Sequence, residues 1–297
     1  MYHNPVLLHE SLEGLRISPV GTYADLTFGG GGHAKAILGQ LTTGKLVVFD
    51  QDQRALDNAP VDDRLICVHA NFRFLLNFLR YHNALPLDGV LADLGVSSYQ
   101  FDTPERGFTT RENATLDMRM NTGLEKTAAD IITEASEEKL ADILYHYGEL
   151  RNARQLASAL VNARSNQPVT TVDHLKAAIG KHIPARQEKK FMARVFQAFR
   201  IEVNDELPAL REMLVQCKEA IKPGGRLVVI AYHSLEDRLV KRYLRNGTFD
   251  DKPETDFYGR VDAPFTPVGS GAIMPSSEEI QQNNRARSAR LRIGERN

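Results

Sequence analysis

Apolar positions follow two different patterns along the 297-residue chain. Near both ends of the chain, short runs that are apolar at almost every position alternate with segments of helical spacing. Such runs, separated by helices, are typical of parallel strands that are buried on both faces. Five strands of this kind are predicted, over residues 22–28, 45–49, 65–68, 89–92 and 226–232. The pattern therefore predicts an α/β fold built on a parallel sheet.

The stretch between the fourth and fifth predicted strands has helical spacing only. No strand is predicted from about residue 128 to residue 215, and Phe191, Val195 and Phe199 recur on one helix face. The sheet is therefore predicted to be interrupted by an all-helical insertion of ordinary domain size. The predicted division is a discontinuous domain of residues 1–106 and 203–297, with residues 107–202 inserted. Residues 248–275, rich in Gly, Pro and Asp, are predicted to form a long surface loop.

The charge of the chain narrows the class of partner. There are 37 basic and 38 acidic residues, and the formal net charge of −1 argues against binding through non-specific charge. Two segments are nevertheless basic, residues 181–200 and 285–296. Local potential steers binding, so these segments are compatible with an anionic partner, although a solvated surface explains such runs equally well.

The composition predicts a soluble, cytoplasmic protein. No run reaches the roughly 18 apolar residues that a membrane helix requires, and the first residues lack the basic flank and apolar core of a signal peptide. Cys67 and Cys217 lie in apolar stretches, so both are predicted to be buried free thiols in a reducing compartment. No metal site is predicted, because His3 and His9 are six residues apart and no Cys/His cluster supports them.

The strongest chemical signal is a strand that runs into four glycines, Gly29 to Gly32, before a helix from His33. Glycines allow a ligand to approach the backbone, and the segment fits the G-x-G-x-x-G/A pattern of dinucleotide sites. Asp50 ends the next strand, where a carboxylate can bind both ribose hydroxyls. A nucleoside cofactor is therefore predicted, and a tight structural turn is the alternative.

Three features favour S-adenosylmethionine over a nicotinamide cofactor. Asp25, just before the glycines, suits an amino-acid moiety with an ammonium group, and Asp93 ends the fourth strand at the predicted ligand crevice. The PGGR turn at residues 223–226 resembles the turn before the fifth strand of class I methyltransferases. His33 either faces the cofactor carboxylate or only begins the helix. Phe72 either stacks on adenine or belongs to the core.

Several motifs are more specific than the fold. In chain order they resemble those of the ribosomal small-subunit RNA methyltransferase H family, over nearly the full length. The matching segments are NPVLL at 4–8, DLTFGGGGH at 25–33, DLGVSSYQ at 93–100, ERGF at 105–108, LDMRM at 116–120, FQAFRI at 196–201, HSLEDR at 233–238 and RARS at 285–288.

This resemblance implies a Rossmann-like class I S-adenosylmethionine-dependent methyltransferase fold with an inserted all-helical domain. It implies methylation of the exocyclic N4 of a cytidine in the decoding region of 16S ribosomal RNA, within the small ribosomal subunit. The oligomeric state stays open, and a homodimer is compatible with the sequence. The cofactor residues that the resemblance implies are Gly31, Gly32, His33, Asp50, Phe72, Asp93 and Gln100.

The chain departs from the family pattern at two places. Gly30 continues the glycine run where some members carry Arg or another residue. Ala231 and Tyr232 stand before His233 where many members have a Ser-Phe pair. Neither departure removes a predicted cofactor contact, but Tyr232 changes the chemistry expected beside the acceptor base.

Asp93 and His233 are the predicted catalytic residues. A delocalised exocyclic amine is a poor nucleophile, so an enzyme gains by accepting its hydrogen bond and by holding the reacting atoms in line. Asp93 is expected to bridge cofactor and acceptor, and His233 to orient the base or remove a proton. The alternative for His233 is structural, because Ser234 to Asp237 resembles a capping box at a helix start.

The acceptor base must leave its stack to reach the methyl group, and the RNA phosphates are expected to meet the basic segments. The base is expected to meet Arg106, Phe108 and Tyr232. The other predicted substrate residues are Arg119, Arg186, Lys189, Lys190, Arg194, Arg200, Arg285, Arg287 and Arg290. Two other functions remain open: an NAD-dependent oxidoreductase, which only the glycine pattern favours, and an inactive RNA-binding ribosome assembly factor.

Overall fold

The computed structural model describes residues 5–253, 255, 257–259 and 261–297. Asn4 of the NPVLL motif and His3 therefore lie outside the described residues. The chain divides into two compact units, which we call the sheet unit (Met1–Gly95 with Leu207–Asn297) and the helical unit (Val96–Glu206). The helical unit begins eleven residues before, and ends four residues after, the predicted insertion. This difference arises because Val96, Phe101 and Val203 pack against the core of the helical unit.

The sheet unit contains one seven-stranded sheet in the order β3-β2-β1-β4-β5-β7-β6. The strands are β1 Thr22–Asp25, β2 Lys45–Asp50, β3 Leu65–His69, β4 Leu87–Asp93, β5 Ile221–Ala231, β6 Phe265–Pro267 and β7 Arg290–Arg296. Strands β1 to β5 are parallel, whereas β7 is antiparallel to both β5 and β6. The strand order reverses between β1 and β4, and a crevice for a ligand opens at such a switch point.

The five predicted strands are confirmed, because both faces of the sheet are covered. Val47 and Phe49 of β2 point into one core cluster, while Leu46 and Val48 belong to the cluster on the opposite face. A strand buried on both faces loses the polar alternation of a half-exposed strand. This is why β2 is apolar from Leu46 to Phe49.

The sheet is covered by helices, and the helical unit contains only helices and loops apart from one isolated bridge, Thr115–Thr171. In the described residues the α-helices are α1 Leu8–Leu15, α2 Gly32–Leu38, α3 Gln53–Leu56, α4 Leu75–Tyr81, α5 Ser98–Asp102, α6 Ala128–Glu134, α7 Glu137–His146, α8 Ala153–Asn166, α9 Val172–Ile179, α10 Glu188–Asn204, α11 Glu206–Ala220, α12 Ser234–Asn246 and α13 Ser277–Gln282. The helical unit has its own buried cluster, which includes Phe191, Val195 and Phe199 of α10. The predicted α-helical face is thus confirmed.

Two details of the sequence interpretation are wrong. Cys67 is exposed and lies on β3, the edge strand of the sheet, whereas Cys217 is buried as predicted. The segment 248–275 is not entirely a surface loop, since it contains β6 with a buried Phe265. The basic segment 285–296, for which no element was predicted, contains strand β7, in which Leu291 and Ile293 are buried.

Among the described residues, no helix is both long and apolar enough to cross a membrane.

Candidate active site

Three carboxyl groups lie where neighbouring parallel strands end. Asp25 ends β1, Asp50 ends β2 and Asp93 ends β4, and β1 lies between the other two in the sheet. Adjacent parallel strands bring their carboxyl ends to the same end of the sheet, so these three carboxyl groups approach one another closely enough for Asp50 and Asp93 to act on Asp25 electrostatically. At this end of the sheet, the strand order reverses between β1 and β4, and α/β sheets bind their ligands at such a point.

Asp25 is a fully buried carboxyl group with one oxygen left without a partner. Its Oδ1 accepts a hydrogen bond from the backbone N–H of Thr27 at 3.1 Å, whereas Oδ2 has no hydrogen-bond partner among the described residues. Burial raises the pKa of Asp25 to about 6. A buried polar atom normally has a partner, so this oxygen fits a cationic ligand group such as the ammonium of an amino acid.

The glycine loop is shaped by close packing at two of its members. Gly31 has a φ of +73°, and a Cβ there would lie 2.7 Å from Cζ of Phe28. A Cβ on Gly32 would lie 2.3 Å from Cγ of Pro5, whereas one on Gly30 would meet nothing within 4 Å. Gly31 and Gly32 therefore serve the turn itself, and Gly30 leaves room for the side chains that some family members carry.

Asp50 connects the glycine loop to the end of β2. Its Oδ2 accepts the N–H of Gly29 and its Oδ1 accepts the N–H of Asp52, both at 2.8 Å. Burial raises the pKa of Asp50. Each carboxylate oxygen has a second lone pair, so Asp50 can still accept the two hydroxyl groups of a ribose while it holds the loop.

His33 and Asp93 form the next part of the site. Nε2 of His33 lies 3.1 Å from the carbonyl oxygen of Val6, and a carbonyl only accepts, so Nε2 carries the proton. Burial lowers the pKa of His33, which favours the neutral ring. Its Nδ1 then presents a lone pair 3.8 Å from Oδ2 of Asp93. His33 is thus an internally held residue at the edge of the crevice, and its contact with a cofactor stays a prediction.

Asp93 has a partner that the sequence analysis did not identify. The hydroxyl of Tyr232 donates a hydrogen bond of 2.7 Å to Oδ1 of Asp93. Burial raises the pKa of Asp93 to about 7, and the hydrogen bond from Tyr232 opposes that shift. The acid is therefore balanced between its neutral and ionised forms near neutral pH, as a group that exchanges a proton requires. The contact of Tyr232 with the acceptor base stays a prediction, and what the structure shows is its hydrogen bond to Asp93.

His233 is the N-cap of α12. Its Nδ1 accepts the N–H of Glu236, and the Glu236 carboxylate accepts the N–H groups of Tyr232 and His233. Glu236 Oε1 also lies 3.2 Å from Nε2 of His233. The capping box that the sequence suggested is present, with His233 in place of Ser234 as the cap. The catalytic role of His233 stays a hypothesis beside this structural one.

The other predicted cofactor residues have ordinary structural positions. Phe72 opens a short 3-10 helix after β3 and packs, partly buried, against the core on one face of the sheet. Gln100 lies in the helical unit, where its side chain completes a capping box with Ser97 at the start of α5. Stacking by Phe72 and cofactor contact by Gln100 remain predictions.

Within the helical unit, some of the predicted RNA-contacting residues are buried or bonded to internal partners, and others are exposed. Arg106 is buried and donates to the carbonyls of Arg119 and Met120. Phe108 is buried in the core of this unit. The remaining arginines bond as follows: Arg119 to Asp117, Arg200 to Glu206, and Arg194 to the carbonyls of Gly148 and Glu149. Arg186, Lys189 and Lys190 are exposed, as a phosphate contact requires.

The predicted basic residues near the C-terminus differ in exposure. Arg287 is exposed and Arg285 is half-buried. Arg290 forms an ion pair with Asp237 at 3.3 Å, and the same carboxylate holds Arg292. Part of this positive charge is therefore compensated within the protein.

The sheet order, with β7 antiparallel beside β5, and the acids at the strand ends together define a class I methyltransferase. The sequence model of the MraW methylase family matches residues 1–297, and the chain belongs to that family. This membership confirms the resemblance and decides for a methyltransferase over the NAD-dependent oxidoreductase. The enzyme is accordingly S-adenosylmethionine-dependent, and the lone Asp25 oxygen and the Asp50 carboxylate fit this cofactor.

Relatives match over the whole chain. The "Ribosomal RNA small subunit methyltransferase H" of Flavobacterium johnsoniae is 52% identical over 296 residues, which are 99% of this chain and 98% of the relative. The protein of the same name from Cytophaga hutchinsonii is 53% identical over 298 residues, with all of both chains covered. Among solved structures, an rRNA methylase from Streptococcus thermophilus covers 100% of this chain and 98% of its own, with a TM-score of 0.42 and 12% identity.

Proposed function

We propose that the protein transfers a methyl group from S-adenosylmethionine to the exocyclic N4 of a cytidine in the decoding region of 16S ribosomal RNA. The names of its full-length relatives support ribosomal RNA of the small subunit as the substrate. The observation that carries the chemistry is the partly buried Asp93 carboxyl, held by Tyr232 at the end of β4. An oxygen there can accept a hydrogen bond from an amino group.

The residues of this chain would position the reactants. S-adenosylmethionine, when bound, supplies the electrophilic methyl carbon. Asp25 would bind the ammonium and Asp50 the ribose hydroxyls, and the glycine loop would admit the ligand to the backbone. Asp93 would accept an N–H of the cytosine amine and direct its nitrogen lone pair towards the methyl carbon. Holding the atoms in line in this way removes several kcal/mol from a barrier, of the order of 7 in well-aligned cases.

The same carboxyl group can collect the proton that the amine loses. With a pKa of about 7, Asp93 is protonated in acid and ionised in base. Only the ionised carboxylate has both oxygens free to accept, so that it can take the hydrogen bond of the amine and then its proton. The turnover number is therefore expected to rise as the pH increases through about 7 and to level off above it. A turnover number that is flat from pH 5.5 to 8.5 would contradict this role.

His233 and the exposed basic residues complete the proposal. His233→Ala is expected to lower turnover if the ring touches the base or its proton. Near-normal turnover of this variant, with a lowered melting temperature, would reduce His233 to a helix cap. Arg186, Lys189, Lys190 and Arg287, which are exposed, are proposed to contact RNA phosphates. RNA binding should accordingly weaken steeply as salt is added.

The test is methyl transfer from labelled S-adenosylmethionine to three substrates that lack the modification: free 16S RNA, small subunits and intact ribosomes. We expect label in N4-methylcytidine with at least one of them. Asp93→Asn is the matched control, since it keeps the shape of the side chain and loses the basic oxygen. Cofactor binding without transfer to any substrate would support the inactive assembly factor, and label in another nucleoside would contradict the acceptor.

A further inference from the structure

A basic surface pocket lies in the sheet unit, apart from the residues of the candidate active site. It has a volume of about 270 Å³. Lys241 and Arg245 of α12, Arg292 of β7 and the segment 269–271 after β6 line it, and no acidic side chain of the described residues does. A pocket with three cations and no acid is suited to an anion.

Two of the three cations are not neutralised. Arg292 donates to Asp237 at 2.6 and 3.1 Å, so its charge is compensated. Lys241 and Arg245 are exposed, and within the described part of the chain no hydrogen bond or ion pair engages either side chain. When exposed cations of this kind neutralise phosphates, the nucleic acid releases its condensed counterions, which favours binding.

The third side of the pocket offers backbone N–H groups. Gly269 has a φ of +84°, and a Cβ on Gly269 or Gly271 would meet nothing within 4 Å. The backbone is therefore accessible from the pocket. No acceptor within the described residues takes the N–H groups of Gly269, Ser270 or Gly271. Backbone N–H groups together with Lys and Arg are the donors that proteins use for phosphate oxygens.

The pocket is connected to the candidate active site by one helix. α12 starts directly after His233 and the neighbouring Tyr232, which contacts Asp93. At a rise of 1.5 Å per residue, Lys241 and Arg245 lie about 12 and 18 Å from His233 along the helix axis. They share one exposed face with Arg238, since the three positions are spaced by three and four residues. An RNA strand could cover that distance in a few nucleotides.

We propose that this pocket binds a backbone phosphate of the substrate RNA a few nucleotides from the methylated cytidine. Lys241 and Arg245 supply the charge, and the segment 269–271 supplies N–H donors. The inference rests on the proposed function, because it takes RNA as the substrate. It adds a contact surface that lies outside the two basic segments of the sequence analysis.

The test compares two double variants that remove the same charge. Lys241→Ala/Arg245→Ala empties the pocket of its uncompensated cations. Lys45→Ala/Lys218→Ala removes two exposed cations elsewhere in the sheet unit. Affinity for unmodified 16S RNA is measured at several salt concentrations, together with KM, kcat and S-adenosylhomocysteine binding. Melting temperatures of both variants establish that they fold.

For the pocket variant we expect about tenfold weaker RNA binding and a higher KM, with kcat and S-adenosylhomocysteine binding unchanged. The slope of log affinity against log salt should become shallower by about 0.7, the contribution of one single-strand phosphate contact. The control should stay within about twofold of the unmodified protein. A pocket variant that behaves like the control would overturn the proposal.

Two further outcomes separate the hypotheses. If the unmodified protein binds 16S RNA but methylates no substrate, the proposed function fails, while the binding comparison still tests the pocket. If the pocket variant loses affinity for small subunits but not for free RNA, the pocket binds a ribosomal protein and the phosphate assignment is wrong.

Discussion

Three ionisable side chains at the carboxyl ends of the strands are removed from water to different degrees: Asp25 is fully buried, whereas Asp50 and Asp93 are partly buried. Asp25, Asp50 and Asp93 all have raised pKa values, and burial is the first cause in each case. Burial disfavours the charged form of a carboxyl group. The folded protein therefore carries a cost when these acids ionise, and a cationic ligand would relieve that cost at Asp25. The ionised Asp25 carboxylate thus lowers the stability of the ligand-free fold but favours the binding of a cationic ligand.

Asp25→Asn tests this opposition. The folded-state pKa of about 6 lies above the unfolded value of 3.8, so the carboxyl group destabilises the fold increasingly as the pH rises between these values. We expect the variant without ligand to be more stable by about 3 kcal/mol at pH 8 and by only about 1 kcal/mol at pH 4.5, since each pKa unit of the shift corresponds to about 1.4 kcal/mol. S-adenosylhomocysteine binding should fall at least tenfold.

Thermal unfolding at both pH values and titration calorimetry provide the measurements. Asp62→Asn is the control, because Arg64 lowers the pKa of Asp62 and the pH dependence should have the opposite sign. An Asp25 variant that is less stable at pH 8 than at pH 4.5, relative to the unmodified protein, would contradict the argument.

Tyr232→Phe tests the hydrogen bond to Asp93. The hydroxyl of Tyr232 favours the ionised form of Asp93, so its removal should raise the pKa of that carboxyl group further. The acid limb of the turnover profile is expected to move to higher pH by about one unit, a shift that corresponds to one hydrogen bond of about 1.4 kcal/mol. A lower turnover with an unmoved profile would mean that Tyr232 acts on the base alone.

Among the elements, the β1–glycine loop–α2 segment combines local sequence with long-range packing. The four glycines predicted a turn that a ligand could approach, and that turn is present. The separate tasks of the glycines depend on neighbours: Gly31 packs on Phe28, and Gly32 packs on Pro5. Strand β7 shows the converse case. Its alternation of Arg with Leu and Ile is a strand pattern, but the segment was interpreted from its charge alone.

The glycine loop offers a matched pair of substitutions. Gly31→Ala places a Cβ at a positive φ and against Phe28, so we expect a loss of about 2 kcal/mol in the free energy of unfolding and weaker cofactor binding. Gly30→Ala meets nothing and should change stability by less than about 0.5 kcal/mol. Denaturant unfolding and S-adenosylhomocysteine titration give both values. Equal effects at the two positions would show that the packing argument is wrong.

At the scale of the whole molecule, the chain forms two units with separate cores. The helical unit buries its own cluster of apolar side chains, including Leu144, Leu156 and Phe199. Its chain enters at Val96 and leaves at Glu206. Four arginines that the sequence assigned to RNA also hold loops and helix ends inside this unit, and these bonds stabilise the unit internally.

An isolated fragment of residues 96–206 should therefore fold on its own. We expect a helical circular dichroism spectrum and one cooperative unfolding transition in urea, because its core does not depend on residues of the sheet unit. Arg106→Ala should lower the midpoint, since Arg106 is buried and binds two backbone carbonyls. Arg186→Ala, at an exposed position, is the control. A gradual transition in the unsubstituted fragment would contradict independent folding.

The amino-acid sequence by itself determined the class of fold, the helical insertion, the family and the acids at the strand ends. These features come from local periodicity and from contiguous motifs, which tertiary contacts do not alter. Tertiary structure alone decided that Tyr232 meets Asp93 across 139 positions, that one oxygen of Asp25 has no partner, and that Lys241 joins the 269–271 segment in one pocket. Each depends on strand register and packing between distant segments, for which no local pattern carries a signal.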